Sequence, residues 1–347
     1  MPSFEGICSA DMYPLRANDN SLDSKFLYFW ILSEQFTKQA VSHQSRTGIP
    51  KINRTQLEST SMPLPPYPEQ RAIAHVLRAV QRAKEATEKV SAATRQLKAS
   101  LMRYLFTYGP VPVDDADRVP LRDTDFGKVP NAWRISPLDE SSEVQTGVTK
   151  GRRLNGADVV SVPYLRVANV QDGYLDLAEM KNIDIRRSEV ARYSLQLGDV
   201  VLTEGGDFDK LGRGFIWNGE VPGCVHQNHI FAVRAKRSEI LPGFLAYLTQ
   251  SPYGKAYFLS VAHKTTNLAC INTTKLKAFP ALSPSIQEQQ VIVDALCAVD
   301  GKIAVEEAKR RAIDSLFKTL LHHLMTGKLR VRDLDPTDHS HSGTAAG

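Results

Sequence analysis

Part of this 347-residue chain is written twice. Pro65-Pro-Tyr-Pro-Glu69-Gln70 leads into a long helical pattern ending in Leu105-Phe-Thr107. Pro284-Ser-Ile-Gln-Glu288-Gln289 leads into another ending in Leu324-Met-Thr326. One offset of 219 residues sets Glu69 on Glu288 without a gap. It also sets Gln70, Ile73, Leu77, Val80, Leu97, Leu101, Leu105 and Thr107 on Gln289, Ile292, Leu296, Val299, Leu316, Leu320, Leu324 and Thr326. Such a repeat constrains the fold first, because each copy must bury the same pattern of side chains.

Each copy reads as one long helix. In the first, Ile73, Val76, Val80, Ala83, Thr87, Val90, Thr94, Leu97, Leu101 and Tyr104 step by threes and fours. In the second, Ile292, Leu296, Val299, Ile303, Glu306, Arg310, Ile313, Phe317, Leu320 and Leu324 do the same. That is the heptad seam of a left-handed coiled coil. A helix of about 38 residues would be ~57 Å long. A helix of this kind is held by packing of its apolar stripe on a partner. The other copy is the expected partner, and the domain between them lets it return antiparallel.

The repeat extends beyond the helices. Ile7 to Arg16 is expected as a strand matching Val225 to Arg234 at an offset of 218. Asp23 to Ser42 is expected as a buried helix, with Phe26 and Leu27 matching Phe244 and Leu245 in a helix from Pro242 to Ser260. Ile52, Asn53, Thr55 and Leu57 match Ile271, Asn272, Thr274 and Leu276 at an offset of 219. The expected division is a partial first domain over 1–64, a long helix over 65–107 and a Pro-rich linker over 108–130. A complete domain over 131–282, a second long helix over 283–330 and a disordered tail over 331–347 follow. In the complete domain, Val162 to Val170 and Leu197 to Thr203 read as strands, with Asp172-Gly173 as a turn. The fold class is α+β: mixed-sheet domains joined by two long helices in an antiparallel coiled coil.

Composition excludes some classes of function. The chain is 42% hydrophobic and has no apolar run long enough to span a membrane. Cys8, Cys224, Cys270 and Cys297 are scattered, as expected of reduced thiols in a cytoplasm. Leu64-Pro-Pro-Tyr67 imitates the Asp/Asn-Pro-Pro-Tyr of amino-methyltransferases, but Leu64 cannot hold an amino group. Cys224, His226 and His229 lack a fourth metal ligand, and on a strand the two histidines face opposite sides. Asp207-Phe-Asp-Lys210 is a weak echo of a nuclease cluster. The net charge of +5 permits a nucleic-acid partner without requiring one.

Polar and basic residues are better placed for binding. Thr149, Lys150, Arg152 and Arg153 lie in the Gly-containing loop Gln145 to Arg153. Arg166 and Asn169 lie on or beside a strand. Lys210 and Arg213 flank a Gly-rich turn, and His226 and Asn228, on one side of a strand, point together at a ligand or hydrogen-bond within the sheet. Lys and Arg neutralise phosphates, while Arg, Asn and His can read base edges.

The plan resembles the specificity subunit of Type I restriction-modification systems. The likeness is carried by Leu64 to Ile73 and Leu282 to Val291 with their helices, and by Ile271-Asn272 and Leu324-Met-Thr-Gly-Lys-Leu329. Gln145 to Lys150 and Leu197 to Val201 add to it. The resemblance implies a chain without chemistry of its own. Two target recognition domains would each read half of a split sequence in double-stranded DNA, and the paired helices would fix the unread gap. Two modification subunits carrying S-adenosylmethionine would dock, and restriction subunits using ATP and Mg would join them. Here the first domain lacks the counterpart of 120–218. A misplaced start codon, a broken gene, or a half-subunit pairing with a second copy to read a symmetric site would each account for that. An inactive coiled-coil scaffold is the competing class.

Overall fold

The computed structural model describes residues 6–9, 12–17, 19–42, 52–154, 156, 158–206, 211–264 and 269–334. The helices are α1 (Ser24–Ile31), α2 (Glu34–Ser42), α3 (Arg54–Glu58) and α4 (Tyr67–Tyr108), then strands β1 (Leu121–Thr124), β2 (Gly127–Pro130) and β3 (Arg134–Pro137). There follow α5 (Leu138–Ser141), β4 (Ser142–Thr146), β5 (Val159–Leu165), β6 (Lys181–Arg186), α6 (Val190–Tyr193), β7 (Val200–Thr203), β8 (Gly205–Gly206), β9 (Gly214–Ile216), β10 (Val225–His226) and β11 (Ile230–Ala235). The order closes with α7 (Pro242–Gln250), α8 (Pro252–Val261), β12 (His263–Lys264), β13 (Ala269–Cys270), α9 (Thr273–Lys277), β14 (Pro280–Ser283) and α10 (Ile286–Met325). These elements form two compact units, residues 1–94 with 302–347, and residues 95–301. The division differs from the one expected, because each long helix is shared between the units.

The first unit is all helical among its described residues. Asp23 caps α1 by accepting from the Lys25 and Phe26 amides, and Phe26, Phe29 and Trp30 line one buried stripe at helical spacing. They pack with Ile73, Ala74 and Leu77 from the start of α4 and Leu321, Leu324 and Met325 from the end of α10. Further along, Lys84 reaches Asp314 at 2.6 Å, so the two helices run antiparallel. The expected single helix over Asp23 to Ser42 is broken at Ser33, which is buried and whose hydroxyl accepts from the Phe36 amide at 3.3 Å. The expected strand over Ile7 to Arg16 is not formed among the described residues, where Ile7, Met12, Tyr13 and Leu15 are exposed. Its counterpart β11 pairs on both sides, with β4 and β7. The counterparts of those neighbours are not in this sequence, and a strand without partners leaves its main chain unbonded.

The second unit repeats this helical arrangement and adds sheets. Phe244, Tyr247 and Leu248 of α7 pack with Ile292 and Leu296 from the start of α10 and Met102, Leu105 and Phe106 from the end of α4. Lys98 meets Asp300 at 2.6 Å, again antiparallel. The expected helix over Pro242 to Ser260 also breaks, at Ser251, the counterpart of Ser33. Ser251 caps α8 by accepting from the Gly254 amide, with Pro252 at its first turn. The central sheet has the order β4-β11-β7-β9, all antiparallel, and β10 pairs parallel with β5. The expected linker is instead partly ordered, because β1 and β2 form a hairpin.

Alternate positions of the α4 seam lie where expected, with Thr87 buried and Thr94 half-buried, and the positions between them lie one residue further on. Ile73 is buried, and Val76, Val80 and Leu101 are half-buried, but Val90 and Leu97 are 44% and 56% exposed. Leu77, Lys84, Ser91, Lys98 and Leu105, spaced by sevens, take the inner positions instead. Reading by hydrophobicity favours Val90 and Leu97. Acids across the seam at Asp314 and Asp300 reverse that choice by drawing Lys84 and Lys98 inward. On α10, Ile292 and Leu296 are buried, and Val299, Ile303, Ile313, Phe317 and Leu320 are half-buried. Beyond it, residues 331–334 make a 3-10 turn, and the rest of the expected tail lies outside the described residues.

Candidate nucleic-acid interface

Two places in the chain concentrate polar side chains with defined geometry. One is the joint at each helix start. Gln70 is wholly buried; its Oε1 accepts from the Asp23 amide at 2.8 Å and its Nε2 donates to the carbonyls of Ser21 and Pro65, both at 2.8 Å. Gln289 is equally buried; its Oε1 accepts from the Leu241 amide at 2.7 Å and its Nε2 donates to the carbonyls of Glu239 and Pro284, both at 3.0 Å. The three bonds repeat atom for atom. Asn53 and Asn272 likewise cap equivalent five-residue helices, accepting from the Gln56 and Lys275 amides. A glutamine recurring at an apolar position of the seam was the sequence signal for this anchor.

The other place is one end of the central sheet in the second unit. Where β4 ends at Thr146, the chain lies down on the segment between β10 and β11. The Val148 amide donates to the His226 carbonyl at 2.7 Å, and the Asn228 amide donates to the Val148 carbonyl at 2.9 Å. Gly147 is required for that approach, since a Cβ there would sit 2.0 Å from the His226 oxygen. Val148 is buried and fixes the loop, and Thr149 and Lys150 emerge exposed from it. The expected strand over Val225 to Arg234 is interrupted at Gln227-Asn-His229, where Gln227 and Asn228 are half-buried and His229 is exposed. At the end of β7, the Glu204 amide donates to the His229 carbonyl at 2.9 Å, and Glu204 Oε2 accepts from His229 Nδ1 at 2.6 Å.

Several residues expected at a DNA surface are used internally. His226 is wholly buried, with Nδ1 donating to the Tyr193 carbonyl at 3.2 Å, and burial holds its imidazole below the usual range. Asn169 is 3% exposed and donates to the carbonyls of Asp176 and Glu179. Arg166 donates to the Glu179 carbonyl at 2.6 Å, and Arg213 donates to the Val167 carbonyl at 3.4 Å. Arg152 binds both carboxylate oxygens of Glu189, at 2.9 and 2.8 Å. That hydrogen bonding holds Glu189 below the usual carboxylate range and raises Arg152. Arg234 of β11 forks onto buried Asp199 at 2.9 and 2.8 Å. The common cause is that each of these polar groups lies beside strands whose neighbours offer carboxylates or free carbonyls, and a buried polar group takes such a partner. Lys150 and Arg153 are exposed, and Asn228 is half-buried. Lys210 lies outside the described residues.

Three residues at this end were not singled out from sequence for binding: Gln227, His229 and Glu204. The signal for Gln227 and His229 was the polar run Gln227-Asn-His229 inside an otherwise apolar strand, and Glu204 had none. Among the described residues, no group of three His, Cys, Asp or Glu could hold a metal ion, and no helix is long and apolar enough to cross a membrane. Cys224 is buried, and burial pushes its thiol up to about 12.

Comparison with known proteins places this architecture. The chain is 25% identical over 335 residues to the Type I restriction enzyme MjaVIII specificity subunit of Methanocaldococcus jannaschii, covering 95% of this chain and 76% of that one. It is 24% identical to the StySPI specificity subunit of Salmonella potsdam, covering 94% of this chain and 69% of that one. Against the EcoDI specificity subunit of Escherichia coli it is 45% identical, but over 20% of this chain and 15% of that one. The fold matches that of a Type I restriction-modification system S subunit from M. genitalium, with a TM-score of 0.54 and 16% identity over 88% of this chain and 73% of that one. The model of the Type I restriction modification DNA specificity domain matches residues 3–93 and 130–315, most of the sequence, and the chain belongs to that family.

Proposed function

We propose that this chain is the specificity subunit of a Type I restriction-modification complex, directing adenine methylation and restriction to a DNA sequence while doing no chemistry itself. The observation that carries the reading is the duplicated joint. A glutamine anchor repeated atom for atom starts two long helices, and the second unit carries an exposed polar sheet end for reading DNA. Thr149, Lys150, Arg153, Gln227 and Asn228 are the residues proposed to meet DNA there. Exposed Lys and Arg engage phosphates, and the amides read base edges.

Double-stranded DNA, modification subunits and restriction subunits are the partners. S-adenosylmethionine, ATP and Mg belong to those subunits, and the complex works in the cytoplasm. An exposed stripe supports the docking of modification subunits. Ala79, Ala86, Ala93 and Leu97 on α4 recur as Ala298, Val305, Ala312 and Leu316 on α10, all exposed. A face present on both helices suits a subunit bound twice.

The test is a single-base map of adenine methylation in a host expressing the chain with its modification subunits. A split motif is expected. An asymmetric motif assigns reading to both copies, a symmetric one assigns it to two chains, and the absence of any motif overturns the reading. In purified complex, Lys150→Ala should weaken binding to all duplexes and lower the slope of log K against log salt by about 0.9. An unchanged slope removes Lys150 from the interface.

A further inference from the structure

The sheet end carries a carboxylate where a DNA surface would ordinarily avoid one. Glu204 follows β7 directly, and its main chain is tied on both sides. Its amide donates to the His229 carbonyl, and its carbonyl accepts from the Ile271 amide, both at 2.9 Å. The residue after it leaves no side chain in the way. Gly205 packs so closely on β13 that a Cβ would lie 2.9 Å from the Ala269 carbonyl. The Glu204 side chain is about one-third exposed, that of His229 about half, and the two meet at 2.6 Å. Lys150 and Asn228 belong to the same sheet end through Val148.

A carboxylate facing DNA is repelled by phosphates and is tolerated where it meets a hydrogen-bond donor. In the major groove the donors on base edges are the amino groups of cytosine and adenine. Adenine presents its N7 acceptor beside its amino group, and a carboxylate aligned on the amine is repelled by it. Cytosine presents an apolar ring carbon in that place. We infer that Glu204 reads the N4 amino group of a cytosine in the target, with His229 as the residue that positions it. Nδ1–H of His229 donates to Oε2, which leaves Oε1 free for the base. The inference rests on the DNA-reading function proposed above and assigns one of its base contacts.

The experiment is selection from a randomised duplex library by the complete complex, with base preference read at every position. Wild-type protein should show a position occupied by cytosine. Glu204→Gln, which puts an amide where the carboxylate stood, should reduce the cytosine preference at that position on the order of tenfold. It should leave the other positions unchanged. His229→Ala should relax the same position, and His229→Asn, whose amide can still donate to Oε2, should restore part of it. That rescue separates positioning from a general loss of structure. If Glu204→Gln and His229→Ala keep the full motif, or weaken binding equally at every position, the inference is overturned while the function stands. If the wild-type complex selects no motif, the function falls, and this inference with it.

Discussion

The two copies of the joint are alike, and what precedes them is not. In both, a helix breaks at a buried serine, a five-residue helix follows behind an asparagine cap, and a buried glutamine ties the long helix to three main-chain atoms. Yet β11 runs between two strands, whereas its counterpart over residues 12–17 pairs with nothing among the described residues. Among the described residues the first joint is held by helix packing and by the glutamine, while the second is accompanied by a sheet. The long helices differ too. Residues 68–107 hold eight Lys/Arg and three Asp/Glu, while the same window in the second copy, 287–326, holds five and six. Two charged pairs, Lys84–Asp314 and Lys98–Asp300, cross the seam, while buried Glu306 pairs along its own helix with Lys302.

Substitutions at matched positions can break the equivalence of the joints. Leu77 and Leu296 are both wholly buried at the same turn. Replacing either by Ala should cost about 2–5 kcal/mol in denaturant unfolding. A large loss from Leu296→Ala beside a negligible one from Leu77→Ala would mean that the first joint is not packed like the second. The glutamines sharpen the comparison. Gln70→Ala and Gln289→Ala each strand one donor and two acceptors, for roughly 1–3 kcal/mol. Pro284 is buried and Pro65 is half-buried, so water can replace less of the lost bonding around Gln289. Gln289→Ala should be the costlier of the two in thermal melts, and the reverse order would contradict the burial argument.

The smallest effect concerns an ion pair of the first unit. The hydrogen bond from Lys84, followed by that from Lys318, holds the Asp314 carboxyl at about 2, below its ordinary 3.8. Its stabilisation is complete above the ordinary value and is lost as pH falls through about 2. Asp314→Asn should flatten the fall of melting temperature between those limits. An identical acid profile in wild type and variant would show that the pair contributes nothing.

The helix pair and its direction were legible in sequence because a repeat at fixed offset carries packing information that single motifs lack. One of the two lines of the α4 seam was misplaced by one residue because hydrophobicity ranks Leu97 above Lys98, and the partner helix decides otherwise through Asp300. Both helix breaks escaped notice: Ser33 carries no local instruction until its hydroxyl finds an amide, whereas at Ser251 the following Pro252 was a legible helix start that was passed over. Of the residues expected at the DNA surface, the least legible were His226, Asn169 and Arg152. Whether a polar side chain faces out depends on which carbonyl or carboxylate the fold brings beside it, as Tyr193, Glu179 and Glu189 do. The loop Thr149-Lys150 was legible because Gly147 marks a place where main chains must touch.

The glutamine anchor recognises only main-chain atoms: one amide and two carbonyls in each copy. A lock that reads the backbone is indifferent to the side chains on the other side of it. Any domain that ends in the same pair of helices offers these three atoms, whatever its loops have become. Recombination at Pro65 or Pro284 could therefore exchange one domain for another and leave the helix start seated, so that recognition can change without relearning how to fold.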